Sequence, residues 1–346
     1  MNGDQMRKPV RLSSTVQSGR TLIELLVAIV LSLMIMAAVG SLYYFTSQSS
    51  RTSQQVSSAE ERGRIASFFL SEPIALAGYA NINGSDTTVR LNNLAMRGPA
   101  IHACEDGRFQ NMPAVLAGFN AAPALPVDFV CVPSAVPGDA LFISFQGEST
   151  AGALQGAITD CEGQQPVLID NVPTVRNVYS IMQTGSGALE FGCSASGGGP
   201  QFAATGLARD VVDFKVFFAF DEDAWAQARA GGVNITARPS SIVTATDLNN
   251  RWAAERVVTP NLPEQAQVNP WNHVIAVHVC LLVESNEQGA TPDGVSNFRP
   301  CPTTPAEVLQ GTAPVALNDG VVRRTINQVY TLRARAQAAP GSNFQP

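Results

Sequence analysis

Charge is scarce in this chain. Of its 346 residues 14% are Asp, Glu, Lys or Arg, and the shortage is concentrated: from Leu25 to Phe45 no side chain is charged, and the next charge is Arg51. About twenty apolar residues span the hydrocarbon core of a bilayer, so this run reads as a transmembrane helix, about 22–45, and not as a core helix. Histidine is scarcer still. A hydrolase triad would have to use His102, His273 or His278, and the last two fall in an apolar stretch that reads as sheet. G-x-S-x-G is absent, which removes the nucleophile elbow. C-x-x-C is absent too, which removes the commonest zinc and thiol-redox pattern. No enzyme, no cofactor and no metal are expected. His102-x-Cys104 and His278-x-Cys280 do set a His and a Cys two apart on one strand face, a pattern zinc could use. Outside the cytoplasm, however, disulfides are the default for such cysteines. Asp221-Glu222-Asp223 lacks the Gly and the spaced oxygen ligands of a calcium loop and reads instead as a helix start.

A shortage of positive charge points the same way. The net charge is −6, and removing residues 1–19, with Arg7, Lys8, Arg11 and Asp4, takes it to −8. Nonspecific affinity for nucleic acid comes from Lys and Arg replacing counterions on phosphates, so no nucleic-acid partner is expected.

The apolar run takes its meaning from what precedes it. Ser18-Gly19-Arg20-Thr21-Leu22-Ile23-Glu24 closes a short basic leader and places one carboxylate five residues past Gly19, just inside the run. An ionisable group at the edge of a membrane helix is costly and is read as functional. Basic residues ahead of the first membrane helix hold that end in the cytoplasm, which puts the body in the periplasm or outside. An ordinary secretory signal would need an apolar core of roughly 7–15 residues followed by a small-residue site; this run is too long, and Glu24 would stand in it without a role.

This junction resembles the class III leader of type IV prepilins. The resemblance implies that a prepilin peptidase cuts after Gly19 and methylates Arg20, although Arg20 stands where pilins usually carry Phe. It also implies that Glu24 pairs with the N-terminal amine of a neighbouring subunit during filament assembly. Further along, Glu60-Glu61-Arg62-Gly63-Arg64, Phe68-Phe69-Leu70 and Ala77-Gly78-Tyr79 are similar to the post-membrane signature of PilW-type minor pilins. So are Val212 to Phe218, Trp252, Val274 to Val283, and Arg323-Arg324 ahead of Leu332-Arg333; residues 80–205 match loosely. A PilW-like protein would be a minor pilin of the inner membrane. It would join a complex that primes type IV pilus assembly and sit at or near the pilus tip on the cell surface, supporting motility or adhesion. Its partners would be the peptidase and other minor and major pilins, met through N-terminal helices. Two alternatives stay open: a minor pseudopilin of a type II secretion system, and a ligand-binding tip adhesin.

The expected fold is α+β and pilin-like. Residues 1–19 are the leader. Residues 20–78 form one long helix of roughly 85 Å at 1.5 Å per residue, with Pro73 ending or kinking its last turn. Residues 79–336 form a β-rich domain with an antiparallel sheet, and 337–346 a disordered tail. Asp139–Gln146 reads as a half-buried strand. Asp210–Phe220 alternates Val212, Phe214, Val216, Phe218 and Phe220 on one face. His273–Val283 is apolar on both faces and reads as a central strand, and Val321–Ala334 as the last. The six cysteines, Cys104, Cys131, Cys161, Cys193, Cys280 and Cys301, all lie beyond the membrane run. Six cysteines allow 15 connectivities; the expected pairs are the three local ones, Cys104–Cys131, Cys161–Cys193 and Cys280–Cys301.

Overall fold

The computed structural model describes residues 21–79, 100–110, 129–147, 159–169, 172–195, 205–230, 238–258, 269–285, 291 and 294–333. Gly19, Arg20 and the tail 337–346 lie outside the described residues. The chain divides into two compact units, residues 1–50 and 51–346. Helix α1 (Leu22–Leu76) has residues in both.

In the first unit α1 is apolar all round. It is long and apolar enough to cross a membrane, and no residue of its most apolar window is buried. Three of its hydroxyls are bonded to the helix itself: Ser32 Oγ donates to the Ala28 carbonyl at 2.6 Å, Ser41 Oγ to Ala38 at 2.9 Å and Thr46 Oγ1 to Leu42 at 2.8 Å. A side chain bonded to the preceding turn has its own donor satisfied, which suits a lipid surround.

In the second unit the same helix changes character. Ala59, Gly63, Ala66, Leu70 and Ile74 are buried, three or four apart, and so form one stripe. Pro73 lies inside the helix, which runs three residues beyond it. Just past the helix Gly78 takes φ +78°, a left-handed conformation that favours glycine. There the Tyr79 N–H returns to the Leu76 carbonyl, and the Gly78 N–H leaves the helix for the Ser144 carbonyl.

The expected antiparallel sheet is in fact two main sheets. The first holds, in spatial order, β1 (Ile101–Cys104), β4 (Ala140–Gln146), β6 (Val172–Gln183), β7 (Leu189–Ala195) and β8 (Thr205–Arg209), with β5 (Val167–Ile169) also on β6. The second runs β10 (Ser241–Val243), β9 (Val211–Phe220), β11 (Val274–Glu284) and β14 (Arg323–Thr331). Smaller pairs are β2 (Gly107–Phe109) with β3 (Cys131–Pro133), and β12 (Ser296–Phe298) with β13 (Val315–Leu317). The remaining elements are α2 (Glu222–Arg229), α3 (Ala245–Val258), α4 (Pro305–Gln310) and a 3-10 turn, Pro270–His273. Asp221 caps α2, its Oδ1 accepting from the Ala224 N–H. One core cluster joins Leu70 and Ile74 of the helix, Leu141 and Ile143 of the first sheet, and Phe214, Phe218 and Leu281 of the second.

Two strands depart from the sequence reading. β4 is buried on both faces, not one: Leu141, Ile143 and Phe145 face the main core, while Ala140 and Phe142 face a second cluster with Phe109 and Phe129. In β9, Phe214, Val216, Phe218 and Phe220 share the core face as expected, but Val212 does not. A register shift opposite Leu282 and Val283 inserts one extra residue, and a bulge of that kind reverses the parity beyond it. Val211 therefore enters the main core, and Val212 packs by Cys280 and Cys301 on the other face.

Candidate functional site

Glu24 stands in the first turn of α1, where the Thr21 carbonyl accepts from the N–H groups of Glu24 and Leu25. A carboxylate there meets the positive end of the helix dipole. Glu24, Leu25, Ala28, Ile29 and Ser32 lie together along one side of the helix. Directly C-terminal to Glu24 on that line are Ala28 and Ser32, four and eight residues on. Small side chains at that spacing let a second membrane helix approach closely.

The other end of the helix docks on the second sheet. A Cβ on Gly63 would stand 2.5 Å from Ile326 Cγ1 and 3.4 Å from Val283 Cγ2, so glycine is what lets the backbone lie on β14. Arg62 Nη1 meets Asp210 Oδ2 at 2.6 Å and donates to the Glu284 carbonyl. Arg324 Nε stands 3.7 Å from Glu60 Oε1. The Tyr330 hydroxyl donates to the Ser67 carbonyl at 3.0 Å, and burial raises its pKa. None of these long-range pairs leaves a mark in local sequence. Glu60-Glu61-Arg62-Gly63-Arg64 shows only as a charged turn with one odd glycine.

A third feature escaped sequence reading. Lys215 Nζ contacts Asp106 Oδ1 and stands 3.4 Å from Asp139 Oδ1. The Asp139 carboxylate also accepts the N–H groups of Asp106 at 2.9 Å and Val216 at 2.8 Å. Burial pushes the Asp139 carboxyl up to about 6, against the pull of Lys215 and the two amides, so it is ionised at neutral pH. Burial works against the Lys215 ammonium, but Asp139, Asp106 and Asp213 outweigh it and raise the amine. This cluster ties the two sheets where a Cβ on Gly138, at φ +99°, would stand 3.1 Å from the Phe214 backbone. The Asp139 N–H donates to the Phe214 carbonyl at 2.7 Å.

Each of the six cysteines is in a disulfide. Cys104 joins Cys131, Cys161 joins Cys193 and Cys280 joins Cys301, closing separations of 27, 32 and 21 residues. Loops of that size are worth about 3 kcal/mol apiece in the chain-entropy model. With every thiol taken, the two His/Cys pairs cannot supply thiolate to zinc. Among the described residues no group of three or more His, Cys, Asp or Glu could hold a metal ion. His102 and His278 are both held below the ordinary imidazole range by burial, His102 at about 3.

No protein-family model matches the chain. No curated protein matches it either. Among solved structures, a type IV-like pilin from Thermus thermophilus is similar at 16% identity, over 80% of this chain and 95% of that one, with a TM-score of 0.36. A score that low lends no weight to any role, and the fold stands on the helix and sheets described above.

Proposed function

We propose that this chain is a minor pilin, a structural protein anchored in the inner membrane whose helix packs beside those of other pilins as a pilus is primed and assembled. The observation that carries the reading is Glu24. It is the one charged side chain between Thr21 and Ser50, in the first turn of a helix whose most apolar window has no buried residue, five residues after Gly19. A carboxylate at a membrane edge needs a partner, and the amine released by cutting between Gly19 and Arg20 would be a cation four residues away in sequence, on this chain or the next. The finer assignment is a PilW-type pilin at or near the tip. Of its motif residues, Glu60 meets Arg324, while Arg62 and Gly63 meet Asp210 and Ile326. Processing and methylation by a prepilin peptidase, export of the body to the periplasm, and service in motility or adhesion follow from the same reading.

The test is Glu24→Ala in the native host. The substitution makes the membrane segment more apolar, so insertion is retained. A neighbour's amine left unpaired in a dry helix bundle costs about 3–5 kcal/mol. Mass spectrometry should find the variant cut to Arg20 like the parent, while co-purification with other pilins and surface piliation both fall. Normal co-purification and piliation would overturn the assembly role. An N-terminus at Met1 or near Gly40 in the parent protein would overturn the pilin reading itself.

A further inference from the structure

His102 occupies an unusual position for an ionisable group. Its ring lies between Phe129, centroids 4.4 Å apart and 14° from parallel, and Trp271, at 4.5 Å and 29°. Trp271 in turn meets Phe218 of the main core edge-on at 5.0 Å. Phe129 packs on Phe142 and Phe109, which belong to the second cluster. The imidazole is thus the ring through which the aromatic column passes from the main core to the corner built by β1, β2 and β3. It is 2% exposed, and its Nδ1 has no hydrogen-bond partner among the described residues.

The charged groups around it are engaged elsewhere. On the β1–β2 corner, Glu105 accepts from the Thr246 N–H and Asp106 pairs with Lys215. Arg108 points to solvent. Asp139, ahead of β4, belongs to the Lys215 cluster. On α3, Asp247 bonds Thr244, Arg251 pairs with Glu222 and Glu255 with Arg229; Arg256 on α3 and His273 of the 3-10 turn are the others on these two elements among the described residues. None of them acts on the His102 imidazole, whose low pKa has burial as its one cause. Asn249 of α3 serves the neighbours of the ring: it accepts from Trp271 Nε1 at 3.2 Å and donates to the Ala103 carbonyl at 3.2 Å.

We infer that His102 is an acid-operated latch, whose uncharged ring holds the β2–β3 corner against Trp271 and whose protonation releases that corner. An imidazolium in the column would carry a charge with no counterion, and an Nδ1–H with no acceptor, among the described residues, and a buried donor left unmade is costly. Relief comes from parting Phe129 from Trp271 so that water reaches the ring. The Cys104–Cys131 bond keeps β3 tied to β1 while this happens, which makes the opening local and reversible. The sign follows from the two states: closed, the ring gains its proton only near pH 3; open, it gains it near 6.5. Opening is therefore favoured as pH falls below 6.5. At pH 4.5 the gain is about 100-fold, two pH units at tenfold each.

Hydrogen–deuterium exchange on the full-length protein in detergent micelles, at pH 7.5 and 4.5 and corrected for intrinsic rates, reads this directly. Protection over 101–110 and 129–133 should fall by up to about 100-fold in acid, while β9 and β11 keep theirs. His102→Phe preserves the column and has no imidazole proton to gain, so its protection over 129–133 should be the same at both pH values; 101–110 also carries the Asp106 N–H bonded to Asp139, which gains its own proton near pH 6. An equal acid loss over 129–133 in His102→Phe, or none in the parent, would overturn the latch. Should that variant fail to fold, the parent's own imidazole resonances decide. A His102 signal titrating near 6.5 without any change in exchange rejects the inference, and one that titrates together with the loss of protection upholds it.

Discussion

Two halves of one helix solve opposite problems. Between Leu22 and Phe45 the large apolar side chains are exposed, Leu22 at 80% and Met36 at 76%, and no glycine there is pressed: around Gly40 nothing comes within 4 Å of a Cβ. Between Ala59 and Ile74 the helix carries fewer large apolar residues, yet its stripe is fully buried, and the one glycine, Gly63, lies hard against Ile326 and Val283. Hydrophobicity and packing are therefore not the same signal. The first half is apolar because its surroundings are; the second is sparing because the sheet leaves it little room.

That contrast can be broken by substitution, beginning where the effect is greatest. Leu70→Ala opens a cavity between helix and both sheets and should lower domain stability by about 2–5 kcal/mol. Leu31→Ala in the first half should leave the unfolding midpoint of the domain unchanged; both are read by urea denaturation in micelles. A matched midpoint for the two variants would mean the docked half contributes nothing special. Next come the glycines. Gly63→Leu should cost about 1–3 kcal/mol by overpacking and release the helix from β14, seen as faster proteolysis between Arg51 and Leu76. Gly40→Leu, with open space around it, should be silent in the same assay. The smallest effect is sought at Tyr330. Tyr330→Phe removes the bond to the Ser67 carbonyl and keeps the ring, so about 0.5–1.5 kcal/mol should be lost. No loss would mean that the ring alone holds the contact.

Periodicity decided how much of this could be read beforehand. An uncharged run of twenty residues, a two-residue alternation in β9 and an unbroken apolar strand in β11 are local patterns, and the helix and the antiparallel strands were visible in them. β4 reads as half-buried because sequence shows alternation but not what stacks on the second face, here Phe109 and Phe129. Val212 is assigned to the wrong face because a bulge is set by the partner strand, at Leu282 and Val283. At the candidate site, Glu24 is conspicuous as a lone charge, and Ala28 and Ser32 follow from the helical repeat. Arg62 with Asp210, and Lys215 with Asp106 and Asp139, join residues more than seventy positions apart; no local pattern encodes them.

The sequence by itself determined that residues from Leu22 form an apolar helix bearing one carboxylate at its edge, that strands follow, and that six cysteines are available for pairing. These depend on side-chain chemistry repeated along a few turns or pleats, and any fold would have to honour them. The tertiary structure alone decided which of the fifteen disulfide connectivities forms, that the strands divide into two sheets tied by Asp139, and that Gly63 must be glycine. It also decided that His102 lies sealed between two aromatic rings. Each of those depends on which distant segment arrives alongside, and that is settled by packing the whole core at once.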